Sequence, residues 1–221
     1  VVTFRAYGEY SLFILVYGVL WCLSIGSILL YMRLYGAGGE ADIPSNIIAG
    51  LLTTVALIVV MVAVSKMAGL KAGYAMIPLV WELDEPTAKI VVLDFAGLTF
   101  TLKPLAFFIL LSQVLVAFAE SAFFHVAFPG VIYDMVEEVA EGAGMPFAVL
   151  VPNLIFGALH YQSWGALGYA NPFQVLAPAF IGGCVLTMPY IIGKALGKDL
   201  SLAVILAHMT FNMLGVLARA G

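Results

Sequence analysis

Six stretches of this chain are almost wholly apolar, and its polar residues gather between them. The stretches run from Tyr10 to Met32, Asn46 to Met67, Pro104 to Phe128, Pro146 to Trp164, Phe173 to Leu196, and Leu200 to Ala218. A helix that crosses a bilayer needs about 20 such residues, so each is read as a membrane span. Turn chemistry separates several of them: the glycines from Gly36 to Gly39, Pro129 with Gly130, Gly142 with Gly144, and Asn171 with Pro172. Pro178 and Pro189 are expected to kink the fifth span, and Pro152 the fourth.

The longest polar interruption runs from Ala68 to Lys103. Within it, Lys89 to Phe95 and Leu98 to Leu102 are two short β-rich runs about Ala96 and Gly97. They read either as a small extramembrane hairpin or as an irregular interfacial loop. Between the third and fourth spans, Ile132 to Glu141 carries Asp134, Glu137, Glu138 and Glu141, and is expected to be a short, solvated surface helix. No internal repeat or low-complexity tract is evident. The fold class that follows is all-α: a polytopic membrane helix bundle of about six transmembrane helices with a small extramembrane loop or hairpin. It divides into an N-terminal two-span region, 1–103, holding the polar loop 68–103, and a four-helix membrane core, 104–221.

Composition strengthens this reading. Of 221 residues, 63% are hydrophobic and only 10% charged. A soluble domain of this size has no interior large enough to hide that excess, whereas lipid solvates it. The net charge of −4 argues against a nucleic-acid partner. Cys22 and Cys184 both sit in apolar runs and read as small buried hydrophobes. No signal peptide is expected before the first span. With both termini cytoplasmic, six of the nine basic residues (Arg5, Lys66, Lys71, Lys89, Lys103 and Arg219) fall on the inside, which favours that orientation. The expected location is a prokaryotic cell membrane.

The chemistry lies inside the spans. Of thirteen acidic residues, Glu120 alone stands well within an apolar run, and all three histidines, His125, His160 and His208, are in predicted spans. An ionisable group in hydrocarbon costs several kcal/mol unless paired, hydrated or neutralised, so it points to function. Counted at about 1.5 Å per residue from the outer span ends, Glu120 and His208 lie roughly 12 Å deep, Asn212 about 18 Å and His160 about 21 Å. Three helices thus bring polar groups to the middle of a core about 30 Å thick. His208 and Asn212, four apart, share a helix face. His125 is counted only about 5 Å from its span's end, where an interfacial histidine belongs. A carboxylate and an imidazole can deprotonate a shared water for attack on a carbonyl, and a second imidazole with an amide can stabilise the oxyanion.

At these residues the chain resembles the CAAX protease and bacteriocin-processing family, the Rce-type intramembrane glutamate proteases. That family carries Glu-Glu-x-x-x-Arg, Phe-x-x-x-His and His-x-x-x-Asn. The second motif is intact as Phe156 to His160 and the third as His208 to Asn212. The first keeps Glu120, with Ser121 in place of the second glutamate and His125 in place of the arginine. The resemblance covers roughly Leu110 to Gly215. It implies a metal-independent endopeptidase without a cofactor, in which Glu120 and His160 activate water, His208 and Asn212 stabilise the oxyanion, and Phe156 packs beside them. His125 and Ser121 are secondary candidates. The implied partners are the lipid bilayer and a hydrophobic or lipid-modified peptide or protein substrate.

Other readings of the same residues stand beside this one. The changed first motif also suits a non-catalytic subunit of a larger membrane complex, its polar cluster pinning helices or binding partner subunits. Glu120, His160 and His208 have the donor types for zinc or iron, although no His-Glu-x-x-His helix motif is present. A proton relay or transporter uses such groups too, but no inverted repeat supports it.

Overall fold

A computed structural model of the protein describes Gly26 and residues 42–67, 91–95, 98–102, 113–165 and 172–220, with side chains placed over 42–67, 113–160 and 176–214. The expected span from Tyr10 to Met32, Cys22 and the glycines from Gly36 to Gly39 lie outside the described residues. Five helices and one two-stranded sheet are described: α1 (Ile43–Met67), β1 (Val91–Phe95), β2 (Leu98–Leu102), α2 (Gln113–Val139), α3 (Gly144–Gly165), α4 (Pro172–Ala195) and α5 (Ser201–Ala220). Three of them are long and apolar enough to cross a membrane: α1, α2 and the part of α4 from Leu176 to Ala195. The protein is an integral membrane helix bundle.

The hairpin alternative holds for the polar interruption. β1 and β2 pair antiparallel, with Phe95 opposite Leu98 and Val91 opposite Leu102, so two residues join the strands.

Helix α2 departs from expectation. Pro129 and Gly130 do not end the third span; the helix runs through them to Val139. Proline breaks a helix because it lacks an N–H and its ring strikes the carbonyl four residues back. Here a π-helical stretch, Ser121–Ala127, precedes it, and the Phe128 N–H reaches Phe123 O, five residues back. The widened turn moves the bonding register just where proline would otherwise conflict with it. The acidic segment is therefore the end of α2 and no separate helix, and two of its acids do more than solvate. Asp134 meets Lys194 Nζ of α4 at 3.0 Å. Glu137 accepts the N–H groups of Gly142 and Gly144 at 2.8 and 2.9 Å, tying off the turn into α3.

Leu57 and Met61 of α1, Val126 of α2, Val149 of α3, Ile191 of α4 and Val204 of α5 meet in one core. All five helices thus share an interior, α1 included. α1 lies against α5 closely enough that a Cβ on Gly50 would stand 3.2 Å from Ala203 O. Small residues permit such close approach between helices in lipid. The opposite face of α1, with Leu51, Leu52, Val55 and Val59 each about three-fifths exposed, offers apolar surface along its middle, as a lipid-facing helix does. Cys184 is half-buried, its thiol 3.9 Å from Val149 O, in keeping with a small apolar role.

Candidate active site

The π-helical stretch also decides which side chains of α2 meet. In an ordinary helix, residues five apart differ by about 140° around the axis. A turn bonded five residues back brings them nearly into line. Glu120 precedes the stretch and Ser121 and His125 lie within it, so the wide turn draws all three toward the interior. Single π turns of this kind are frequent at functional sites.

Glu120 faces two imidazoles from two other helices. Its Oε1 lies 3.9 Å from His160 Nε2 of α3, and its Oε2 lies 3.7 Å from His208 Nε2 of α5. Neither distance is a direct hydrogen bond; contacts longer than about 3.5 Å are the kind that a shared water joins. The Glu120 and His160 side chains keep 16% and 21% of their surface accessible, against 7% for His208, so the His160 flank is the more open of the two.

Hydrogen bonds fix which ring nitrogen does what. His160 Nδ1 lies 2.9 Å from Phe156 O, one turn back on α3. A carbonyl only accepts, so Nδ1 carries the hydrogen and Nε2 of the neutral ring turns a lone pair toward Glu120. His208 is held the other way round. The buried Ser121 hydroxyl lies 3.0 Å from His208 Nδ1, its one partner among the described residues. Donation from Ser121 leaves His208 Nε2 as the N–H that points at Glu120. One flank of the carboxylate therefore accepts and the other donates.

The other expected residues fall as follows. Asn212 stays on the His208 face of α5, but its Nδ2 donates to Gln113 Oε1 of α2 at 3.4 Å, two turns from Glu120. Phe156 is buried, its ring centroid 4.2 Å from that of His160 and 4.8 Å from that of His125. His125 is not interfacial. Because α2 continues to Val139, His125 lies mid-helix, and it is fully buried, with its ring 5.8 Å from His208. Among the described residues, no group of three or more His, Cys, Asp or Glu is arranged as a metal cage.

Two residues beside the site were not expected. Thr187 of α4 and Asn153 of α3, both fully buried, join His125 in one network. His125 Nδ1 lies 3.1 Å from Thr187 Oγ1, Asn153 Nδ2 donates to the same oxygen at 2.9 Å, and Thr187 donates to Gly183 O at 3.0 Å. Both are polar residues inside predicted spans, which was the available signal. Neither titrates near neutral pH, so neither stood out among the ionisable groups.

Residues 102–214 match the family described as Type II CAAX prenyl endopeptidase Rce1-like, just over half of the chain. The chain belongs to this family. The Rce1-like match includes Glu120, His160, His208 and Asn212 and begins after α1. Comparison with curated proteins finds no match, and comparison with solved structures finds none.

Proposed function

We propose that this protein is an active, metal-independent intramembrane endopeptidase that cleaves a membrane-associated, hydrophobic or lipid-modified peptide. The observation that carries this reading is the Glu120 carboxyl group set between two imidazoles, 3.9 and 3.7 Å away, whose other ring nitrogens have partners that give the two rings opposite hydrogen-bonding sense. A water held between Glu120 Oε1 and the His160 Nε2 lone pair donates one hydrogen to each. Glu120 takes a proton as the water oxygen attacks the peptide carbonyl. The developing oxyanion accepts a hydrogen bond from His208 Nε2–H, and from the Asn212 amide once it leaves its long contact with Gln113. Glu120 then returns its proton to the departing amine, and the peptide bond breaks with water consumed and no net change in the site. The orientation with both termini cytoplasmic belongs to this proposal.

The test uses the full-length protein in lipid vesicles and a quenched-fluorescent peptide ending in a prenylated cysteine and three further residues. Glu120→Gln preserves shape and removes the base, and is expected to lower kcat by about 10²- to 10⁴-fold. Cleavage by Glu120→Gln at the wild-type rate would overturn the mechanism. The same departures at Ser121 and His125 favour a second reading, a non-catalytic subunit. Its signature is a wild-type protein that leaves the probe intact and purifies in fixed stoichiometry with a larger membrane enzyme.

A further inference from the structure

We propose that His125 is a positioning residue, locked by Thr187 and Asn153 so that its ring backs His208 and Phe156 and thereby aims both site imidazoles at Glu120. The inference rests on the peptidase reading for its catalytic consequence and on geometry for its substance. Thr187 has one hydroxyl hydrogen, and Gly183 O takes it at 3.0 Å. Its oxygen can then only accept, so Asn153 Nδ2 and His125 Nδ1 both donate to it, at 2.9 and 3.1 Å. Asn153 is itself fixed by a second donation to Val149 O at 2.7 Å. Three helices thus clamp one imidazole as its Nδ1–H form.

The clamped ring reaches the site through ring packing rather than through a hydrogen bond. It packs edge-on to Phe156 at 4.8 Å and edge-on to His208 at 5.8 Å. Phe156 in turn supplies both the carbonyl that fixes His160 Nδ1 and a tilted ring whose centroid lies 4.2 Å from that of His160. One locked side chain therefore supports both histidines. Its own Nε2, like Asn153 Oδ1 beside it, is buried without a hydrogen-bond partner among the described residues, an expense that a simple space-filling residue would avoid. A phenylalanine or leucine fills such a volume at no polar cost, so the retained imidazole serves the lock.

The chain has only three histidines, and all three are in this cluster, so labelling histidine with nitrogen-15 reports on the site alone. Imidazole spectra are compared for the full-length protein in lipid nanodiscs as wild type, Thr187→Val and Thr187→Ser, together with cleavage of the prenylated probe peptide. Thr187→Val removes the acceptor at constant shape. It is expected to take His125 out of the Nδ1–H form, to shift the His208 and His160 signals as well, and to lower kcat by about 10- to 100-fold with KM unchanged. Thr187→Ser is expected to restore all three. Should Thr187→Val fail to fold, His125→Phe gives the same readout on the two remaining rings. Signals from His160 and His208 that stay put in either variant, or a serine variant that restores nothing, would overturn the proposal. If the wild type leaves the probe uncut, the peptidase reading fails while the spectra still decide whether His125 positions the other rings.

Discussion

Asn46 joins α1 to α5, and removing it is expected to loosen the whole bundle. The side chain is 1% exposed and makes bonds in two directions. Nδ2 donates to Asp199 O at 2.8 Å and to Asp42 O at 3.0 Å, while Oδ1 accepts the Ala203 N–H at 2.9 Å. Ala203 stands in the first turn of α5, where backbone N–H groups have no partner within the helix. Asp199 Oδ1 takes the Ser201 N–H at 2.9 Å, so Asn46 completes from another helix a cap that Asp199 begins. The two bonds between helices contribute about 0.5–1.5 kcal/mol each, and interhelical bonds within bilayers lie toward the lower end. Leaving the Ala203 N–H and the Asp199 carbonyl unpaired adds roughly 1–3 kcal/mol. Asn46→Ala should therefore destabilise by about 2–4 kcal/mol, a fall in Tm of about 4–16 °C for a chain of this size. The assay is helical circular dichroism against temperature on the purified protein in detergent. Thr53→Val is the internal control, since the buried Thr53 hydroxyl donates only to Ala49 O at 2.7 Å within its own helix. A melting point for Asn46→Ala no lower than that of Thr53→Val would refute the reasoning.

Two further substitutions probe the site. A Cβ on Gly183 would collide with Asn153 Oδ1 and come within 3.2 Å of Phe156 Cδ1, so Gly183→Ala should cost about 1–3 kcal/mol by overpacking, read from thermal melts. Because the collision falls on the network behind His125, cleavage of the probe should fall further than the loss of folded protein explains. Asn212→Ala should lower kcat by about 10²- to 10³-fold, as loss of an oxyanion donor does, while Gln113→Ala, which frees the same amide, should change it far less. Equal, small effects from both would make Asn212 only a tie between α5 and α2.

The helices were legible because lipid imposes a length and a composition that a sequence displays directly. Ile43–Met67, Pro172–Ala195 and Ser201–Ala220 each begin and end within a few residues of where the apolar runs do. The end of α2 was not legible. Pro129 is ordinarily a stop, and nothing local announces that seven residues before it adopt a wide turn that accommodates it. That one error also displaced His125, since depth counted from a supposed end at Phe128 places it at an interface. The convergence of Glu120, His160 and His208 was readable from shared depth. Which neighbours would fix the tautomers of His208 and His125 was not, because Ser121, Asn153 and Thr187 are common residues whose partners come from other helices.

The two departures in the first motif acquire a physical sense from these contacts. A second carboxylate and a guanidinium would bring two more formal charges into a cluster where each must be paired or hydrated. Ser121 and His125 occupy those positions as groups that bond while neutral, one to His208 at 3.0 Å and the other to Thr187 at 3.1 Å. Both bonds act on orientation: the serine hydroxyl sets which nitrogen of His208 faces the carboxylate, and the threonine sets the ring behind it. Glu120 is then the one acidic side chain in the described cluster, and its two oxygens face an acceptor on one side and a donor on the other. A base that must take a proton from water and return it to an amine needs that asymmetry more than it needs additional charge, since a symmetric pair of donors would lower the carboxylate's basicity and leave the water unaligned. The altered motif is therefore compatible with hydrolysis by a site of lower charge, and the burden of alignment passes to buried neutral hydrogen bonds drawn from α2, α3 and α4.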